Sequence, residues 1–335
     1  MAYEPAVTQK ALARLERLRD RRERERYLLE RELYQRAPRL RELDVALRGT
    51  MAELARLATG GKPVRADGPE IADIRKRSEE LQKERAKLLD YLGYAPDALD
   101  GKPACPQCGD TGWVDGRMCQ CLQKLCAQEQ LKALTALLNL TDEQDFDRLR
   151  LDVYSDQPWP GYPRSPREQM KRVAQVCEGY ARQFPDYPLK NLRLAGGTGL
   201  GKTFLSGCIA REVSRRGHSV VYDTAINLFT VFETRRFTRD AGEERQARDL
   251  TRRYLGCDLL ILDDLGSEMT TPLYQSALYE VVNGRLQSGK HTILSTNLSM
   301  DALAERYGAQ LASRIGGLYR ELTFYGEDLR LKRNG

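Results

Sequence analysis

The stretch Gly196-Gly197-Thr198-Gly199-Leu200-Gly201-Lys202-Thr203 decides the fold, because Gly, four residues and Gly-Lys-Thr is the pattern of a phosphate-binding loop. In such a loop, successive backbone N–H groups point inward at phosphate oxygens. The ammonium group of Lys202 reaches the β- and γ-phosphates, and the hydroxyl of Thr203 ligates Mg²⁺. All eight residues are therefore predicted to bind nucleotide phosphates and Mg²⁺.

The residues on either side of this loop favour the same interpretation. Residues 191–195 predict a short strand that runs into the loop, and residues 204–216 predict a helix that leaves it and ends at Gly217. The start of that helix would turn its positive dipole end toward the phosphates. A glycine-rich turn without a ligand is the alternative, and this strand–loop–helix context disfavours it.

From about residue 166 onward, the sequence alternates between predicted helices and apolar strands. Further strands are predicted at residues 219–222, 259–262 and 291–295, and the run at 259–262 is continuously apolar, as a buried parallel strand should be. This alternation predicts an α/β fold, in which a parallel sheet is flanked by helices on both faces.

Polar residues follow two of these strands. Asp263 and Asp264 end the third strand, where P-loop enzymes hold the Mg²⁺ shell and the attacking water. We assign Asp263 to Mg²⁺ and Asp264 to polarisation of the water. Asn297 ends the fourth strand, where its amide would orient the water or contact the γ-phosphate; a helix or turn cap is the alternative.

Four motifs together resemble a known family. Residues 196–205, 259–268, 295–297 and 313–315 look like those of AAA+ ATPases of the DnaC/DnaI type, which load the replicative helicase in bacteria. The resemblance covers about residues 145–335. It implies a P-loop AAA+ fold, with Asn297 as the sensor-1 amide and Arg330 as the sensor-2 arginine. It also implies that Arg314 is an arginine finger reaching the ATP of a neighbouring subunit; each arginine alone would be interpreted as a solvated surface residue.

Two further expectations come from this resemblance. The usual catalytic glutamate after the Mg²⁺ aspartate is replaced by the shorter Asp264, which predicts slow or partner-stimulated hydrolysis. The family also contacts single-stranded DNA, and residues 268–274 would supply part of that contact through Thr271 and Tyr274. Tyr274 could stack on a base, although ordinary packing is the commoner role of such a tyrosine.

The cysteines indicate a metal site. Of the eight cysteines, five lie between Cys105 and Cys126. Cys105 and Cys108 form one pair and Cys119 and Cys121 a second, and four thiolates at this spacing suit tetrahedral Zn²⁺. The single residue within the second pair departs from the usual two, which leaves Cys126 as a possible substitute ligand. A redox dithiol, an iron–sulfur cluster and reduced thiols in a loop are the alternatives.

The first hundred residues are predicted to be helical. Apolar residues recur at spacings of three and four from Leu40 to Leu54 and again from Ile71 to Leu92, and residues 60–63 and 68–69 are a Gly/Pro break between them. This pattern predicts a coiled-coil hairpin. It would either dock a partner or fold against the rest of its own chain.

Composition limits the class of protein. The chain has 335 residues and a net charge of +6, which permits nucleic-acid binding without arguing strongly for it. No apolar run approaches the roughly 18 residues that span a bilayer, and the N-terminus lacks a signal-peptide core. We therefore expect a cytoplasmic protein without a membrane partner.

These features combine into one hypothesis. Residues 1–100 form a partner-binding helical hairpin, 101–126 a zinc module, 127–165 a helix and linker, and 166–335 the AAA+ ATPase domain. The protein would use ATP, Mg²⁺ and Zn²⁺, assemble with copies of itself when ATP is bound, and contact a replicative helicase hexamer through residues 1–126 to load it on single-stranded DNA. The alternatives are a helper ATPase of insertion-sequence transposition, a nucleotide-gated DNA-binding adaptor with little turnover, and a small-molecule P-loop kinase.

Overall fold

The computed structural model describes residues 3–59, 68–137 and 145–332. They fall into two compact units, which are Met1–Leu12 together with Gln120–Gly335, and Ala13–Cys119. Of the helices in these described ranges, none combines the length and the apolar character that a bilayer crossing requires.

The unit Ala13–Cys119 is built mainly from three helices. These are α1 (Pro5–Arg36), whose first turns precede the unit, α2 (Pro38–Thr59) and α3 (Pro69–Tyr91). α2 and α3 pack side by side, and Arg39 pairs with Glu84 while Glu53 pairs with Arg77, so the two helices are antiparallel. The predicted hairpin is therefore present; the Gly/Pro break at residues 60–63 lies outside the described residues.

The hairpin unit has a small core of its own. Leu33, Leu40, Leu89 and Leu99 are buried together. Beside them, the half-buried carboxylate of Asp44 accepts hydrogen bonds from the Tyr34 hydroxyl at 2.7 Å and from Arg85 Nε at 2.7 Å. Burial, then the hydrogen bond to Asp44, raises the pKa of Tyr34. Arg85 of α3 and Asp44 of α2 thus form an ion pair between the two helices.

The cysteine-rich segment contains a short antiparallel pair of strands, β1 (Trp113–Val114) and β2 (Arg117–Met118). Asp115 and Gly116 join them, and both have positive φ, at 48° and 73°. Asp-Gly is the dipeptide that favours this type of two-residue turn.

The other unit carries a five-stranded sheet. Its strands are β3 (Leu192–Gly196), β4 (Val220–Thr224), β5 (Leu259–Leu265), β6 (His291–Thr296) and β7 (Arg320–Phe324). The order across the sheet is β4-β5-β6-β3-β7, and every neighbouring pair is parallel.

Helices cover this sheet. They are α4 (Gln120–Leu137), α5 (Pro166–Arg182), α6 (Lys202–Arg215), α7 (Ala225–Phe237), α8 (Ala241–Gly256), α9 (Pro272–Gln287), α10 (Met300–Tyr307), α11 (Ala309–Leu318) and α12 (Leu329–Lys332). One core packs α5 and α6 against alternate residues of the strands, and a second core packs α7 to α11 against the intervening ones. Because α6 and α11 belong to different cores, they lie on opposite faces of the sheet.

The predicted fold class is confirmed: a parallel sheet flanked by helices follows a helical N-terminal region and a cysteine cluster. The four predicted strands are present, although each extends at least one residue beyond the predicted end. The fifth strand of the sheet, β7, was not predicted. β7 is an edge strand with exposed Arg320 and Glu321, so it lacks the apolar run by which the other strands were recognised.

Candidate nucleotide site and cysteine cluster

The phosphate-binding loop has the backbone that only glycine adopts easily. Gly196, Gly199 and Gly201 have φ values of 153°, 69° and 94°. A Cβ on Gly199 would lie 1.6 Å from Oδ1 of Asp328, and a Cβ on Gly196 would lie 2.1 Å from the backbone oxygen of Phe324. The loop is thus shaped by close backbone approach as well as by its turns.

Lys202 folds back onto the loop. Its Nζ donates hydrogen bonds to the backbone oxygens of Gly196 at 2.7 Å and of Gly197 at 2.6 Å. α6 begins at Lys202, with Gly201 as its N-cap and no side-chain cap on its first turn. Phosphate oxygens would therefore meet first-turn N–H groups and a neighbouring ammonium group.

Asp263, the predicted Mg²⁺ ligand, is held rigidly. Asp263 is buried at the end of β5, where its Oδ2 accepts the Tyr222 hydroxyl at 2.6 Å and its Oδ1 accepts the backbone N–H of Asp264 at 3.0 Å. Ile261 of β5 and Tyr222 of β4 belong to the same core as α6. By the alternation of a strand, Asp263 points to the face that carries α6.

Asp264 differs from Asp263 in backbone and exposure. It has a φ of 58°, and the pairing of β5 with β6 is irregular between Leu262 and Leu265. Its side chain is exposed. A non-glycine residue in this region of φ is strained by roughly 1–3 kcal/mol, a feature that clusters at functional sites. The irregularity turns the second carboxylate out of the sheet, where a water molecule can reach it.

Nearby charged groups act on Lys202. Burial lowers the pKa of Lys202, while the negative charges of Asp263 and then Asp264 raise it and the positive charge of Arg330 lowers it again. The structure therefore brings both aspartates and Arg330 within electrostatic reach of Lys202. Arg330 itself is exposed on α12.

Asn297 follows β6, which lies between β3 and β5 in the sheet. Its side chain is exposed, and the next residue is fixed from two sides. The backbone oxygen of Leu298 accepts a hydrogen bond from Arg193 at 3.0 Å, and the Thr296 hydroxyl accepts one from the Leu298 N–H at 3.1 Å. Asn297 is thus presented at the edge of the sheet between the phosphate loop and the aspartates. Ser299, not Asn297, caps α10.

The C-terminal residues touch the phosphate loop directly. The N–H of Leu329 donates to the backbone oxygen of Gly199 at 3.1 Å, and from the other side the Tyr154 hydroxyl donates to the backbone oxygen of Leu200 at 3.1 Å. Sequence reasoning missed Tyr154, Tyr222 and Asp328, because no local pattern distinguishes them from ordinary packing or surface residues.

Arg314 has a different neighbourhood. It lies on α11, on the face of the sheet opposite α6, and its Nη2 donates to the hydroxyl of Tyr279 at 3.2 Å. The guanidinium carbon is 5.4 Å from the centre of the Tyr279 ring. The structure therefore does not place Arg314 with the other predicted site residues.

The two candidate DNA-binding residues have structural contacts. Thr271 caps α9 by accepting the N–H of Tyr274, and the ring of Tyr274 stacks on Phe229 with centroids 4.4 Å apart. Sequence reasoning did not single out a nearby cavity of about 600 Å³ between α7, α8 and α9. Four arginines line it: Arg235, Arg236, Arg248 and Arg252.

The predicted zinc ligands come together. The sulfur atoms of Cys105, Cys108, Cys119 and Cys121 all lie within 4.8 Å of one another. The turn at residues 115–116 reverses the chain, and the N–H of Cys119 donates to the backbone oxygen of Gly112 at 2.9 Å. Cys126 is not part of the cluster; it is buried beside Thr8, and burial raises its pKa.

The donor set fits a zinc ion. Zn–S bonds of about 2.3 Å separate the sulfurs of a tetrahedron by roughly 3.8 Å, and Cys105 Sγ and Cys119 Sγ are 3.6 Å apart. A disulfide would need about 2.05 Å. The Gly112 N–H donates to Cys108 Sγ at 3.3 Å, a contact that favours a thiolate. Tetrahedral metal binding is therefore the chemistry to which this cluster is suited.

Comparisons with known proteins agree with this geometry. Residues 185–316 match the family described as IstB-like ATP binding protein. The replicative helicase loader DnaC of Escherichia coli K12 is 24% identical over 147 residues, which are 44% of this chain and 58% of that protein. An "insertion sequence ATP-binding protein" of Sinorhizobium fredii is 30% identical over 146 residues, or 42% of this chain and 56% of that protein.

Solved structures give matches of the same kind. A crystal structure of the DnaC helicase loader is 21% identical, with a TM-score of 0.43, over 54% of this chain and 98% of that chain. A crystal structure of DnaI is 20% identical, with a TM-score of 0.41, over 53% of this chain and 95% of that chain.

The chain therefore contains an ATP-binding domain of the IstB/DnaC type and is homologous to DnaC helicase loaders. It spans a little over half the length of the first relatives. The hairpin and the cysteine cluster, between residues 13 and 121, lie outside the segment that matches the family.

The nucleotide site can be tested at Lys202. Lys202→Ala removes the ammonium group and leaves the core intact, so we expect ATP binding to weaken by about 100-fold or more. Binding of fluorescent ATP to the full chain measures this, with Lys171→Ala, an exposed lysine on α5, as the control. Unchanged binding by Lys202→Ala would show that the loop does not hold the phosphates.

The metal site can be tested by elemental analysis. We expect about one zinc per chain, lost in Cys121→Ser and kept in Cys126→Ser, since only Cys121 joins the cluster. A protein with no zinc, or with a coloured iron–sulfur cluster, contradicts the assignment. So does the reverse pattern in the two variants, which would make Cys126 the ligand.

Proposed function

We propose that this protein is an ATPase that loads or remodels the replicative DNA helicase on single-stranded DNA, in the cytoplasm. The homology to DnaC and the IstB-like ATP-binding domain support the ATPase and its role in DNA replication. The observation that carries the proposal is that Lys202 contacts the phosphate loop, with Asp263, Asp264 and Arg330 within electrostatic reach of it. These are the groups that bind ATP and Mg²⁺ and activate water.

Each group has a role in hydrolysis. Lys202 and the first-turn N–H groups of α6 would bind the phosphates, and Thr203 and Asp263 would hold Mg²⁺, which neutralises charge on the phosphoryl group. Asp264 would orient the attacking water, with Asn297 beside it and Arg330 near the γ-phosphate. Because the carboxylate of Asp264 is one methylene shorter than that of a glutamate, we expect slow turnover that a partner stimulates.

Arg314 would serve the site of a neighbouring subunit. It lies on the face of the sheet opposite α6, so it is far from the nucleotide of its own subunit. A second copy of the chain would bring its ATP to Arg314. An arginine supplied in this way stabilises charge on the transferring phosphoryl group. ATP would therefore favour a homo-oligomer, because the nucleotide lies between two subunits.

Residues 1–126 would contact the helicase hexamer. This part of the chain lies outside the segment that matches the family, and its exposed apolar side chains include Val45 and Met51 on α2. A zinc ion on the cysteine cluster would fix the fold of that segment without a large core.

Single-stranded DNA would contact the ATPase domain. The cavity lined by Arg235, Arg236, Arg248 and Arg252 offers guanidinium groups to phosphates. Arg235, Arg248 and Arg252 are each paired with an acidic residue, so DNA would have to replace these pairs. Thr271 and Tyr274 remain candidates for a weaker contribution, since both already make contacts within the fold.

A second candidate function is a helper ATPase of insertion-sequence transposition. The match to the IstB-like family and to a relative from an insertion sequence favours it. The hairpin and the cysteine cluster favour the helicase loader, since they supply a separate surface for a protein partner. An ATP-binding adaptor with little turnover is a third possibility, which the short carboxylate of Asp264 supports.

The proposal is tested by helicase loading. The full chain, ATP and the purified replicative helicase of the same organism are incubated with circular single-stranded DNA, and helicase bound to DNA is counted after gel filtration. We expect loading to rise well above that of the helicase alone, and Lys202→Ala to remove the increase. No increase with the wild-type chain, together with ATPase activity that duplex DNA stimulates, would favour the transposition helper.

The shared nucleotide site is tested by mixing two inactive variants. Arg314→Ala should bind ATP normally but lose roughly 10³–10⁵ in turnover where the finger is fully engaged. Lys202→Ala binds ATP only weakly, yet its Arg314 can complete the site of an Arg314→Ala neighbour. We therefore expect the mixture to regain part of the ATPase activity. Normal turnover by Arg314→Ala alone would make this arginine a surface residue.

A further inference from the structure

We propose that Tyr279 is the positioning residue that holds the Arg314 finger ready for a neighbouring subunit's nucleotide. The inference rests on the proposed shared site and adds to it a residue that neither the sequence pattern nor the comparisons assign. It is carried by the hydrogen bond and the ring contact between these two side chains.

Two contacts fix the guanidinium group. The hydrogen bond of 3.2 Å from Nη2 to the Tyr279 hydroxyl sets its position along the ring, and the distance of 5.4 Å from Cζ to the ring centre is within the range of a cation–π contact. One contact alone would leave a flexible side chain free to rotate. The two together restrict both the direction and the height of the guanidinium group above the ring.

That Tyr279 carries no charge matters more than how strongly it binds Arg314. Within the described residues, Arg314 makes no ion pair with a carboxylate. Other arginines of this unit are different, since Arg235 is paired with Glu280 at 3.0 Å and Arg248 with Glu244 at 2.6 Å. A carboxylate would hold an arginine equally well but would neutralise its charge. A tyrosine holds it and leaves the full positive charge for an anion that arrives from outside.

Tyr279 is itself anchored. Its ring packs against the core formed by α7 to α11, and the adjacent Leu278 of α9 is fully buried. On the other side, Leu311, Ala312 and Ile315 fix α11 in the same core. The finger therefore joins two packed helices, so little conformational entropy remains to be lost when a phosphate binds.

The test uses the mixture of Lys202→Ala and Arg314→Ala, and adds Tyr279→Leu to one or the other of these variants. Added to Lys202→Ala, the change disturbs the finger that completes the active site, so we expect ATPase activity about 5- to 50-fold below that of the unmodified mixture. Added to Arg314→Ala, the change has no effect on the arginine finger, because that subunit lacks Arg314. We therefore expect the activity of the mixture to stay the same. A loss of fold or packing would lower the activity in both placements.

The conservative variant separates the two contacts. Tyr279→Phe keeps the ring and loses the hydroxyl, so in the Lys202→Ala subunit we expect a loss of about two- to tenfold, smaller than that of leucine. Tyr307→Phe is the matched control, because it removes a buried hydroxyl on α10 that has no hydrogen-bond partner among the described residues. The KM for ATP should not change, since the altered subunit does not bind the hydrolysed nucleotide.

The outcomes distinguish the inference from the function on which it rests. If Tyr279→Leu leaves the activity of the mixture unchanged in both placements, the role of Tyr279 is overturned and the shared site stays intact. A mixture of Lys202→Ala and Arg314→Ala that never regains activity overturns both. Equal losses in the two placements assign Tyr279 to the stability of the fold and also overturn the inference.

Discussion

The parallel pairing of β3, β6 and β5 is the constraint on which the candidate site depends. Because the three strands run in one direction, their carboxyl ends meet at one edge, and the phosphate loop, Asn297 and Asp263 lie at that edge. Local devices then aim each side chain: Arg193 fixes the segment after Asn297, Tyr222 holds Asp263, and the irregularity in β5 turns Asp264 outward. Antiparallel pairing of any one strand would remove its side chain from the group.

The opposite edge of the sheet is stabilised by different chemistry. Arg285 of α9 is fully buried, and it donates to the Thr292 hydroxyl and to backbone oxygens that include those of Tyr254, Cys257 and His291. A buried guanidinium group is tolerated only when its N–H groups are satisfied, as here. These bonds connect the starts of β5 and β6 to α8 and α9. Contacts at the amino ends of these strands therefore hold them in register, which positions the candidate site at their carboxyl ends.

Sequence reasoning predicted most of the ATPase half and the cysteine cluster because their signals are local. The glycines of the phosphate loop, the apolar run before Asp263 and the cysteine pairs each lie within a few residues. The strand β7 was missed because its first two residues, Arg320 and Glu321, are exposed at a sheet edge. Residues 115–116 did carry an Asp-Gly turn signal that could have predicted the strands between the cysteine pairs. Tyr222 and Tyr279 could not have been found, since their partners come from distant elements.

The contacts of Lys202 indicate what ATP binding has to change. Its two hydrogen bonds to loop carbonyls satisfy the ammonium group, so a phosphate that binds Lys202 must replace them. Bonds to charged oxygens are stronger than those to neutral carbonyls, which makes the exchange favourable. The same loop is also held by Leu329 on one side and Tyr154 on the other, at the backbone oxygens of Gly199 and Leu200. Those two bonds use carbonyl oxygens rather than loop N–H groups, so the loop can keep its shape while Lys202 reorients toward the phosphates.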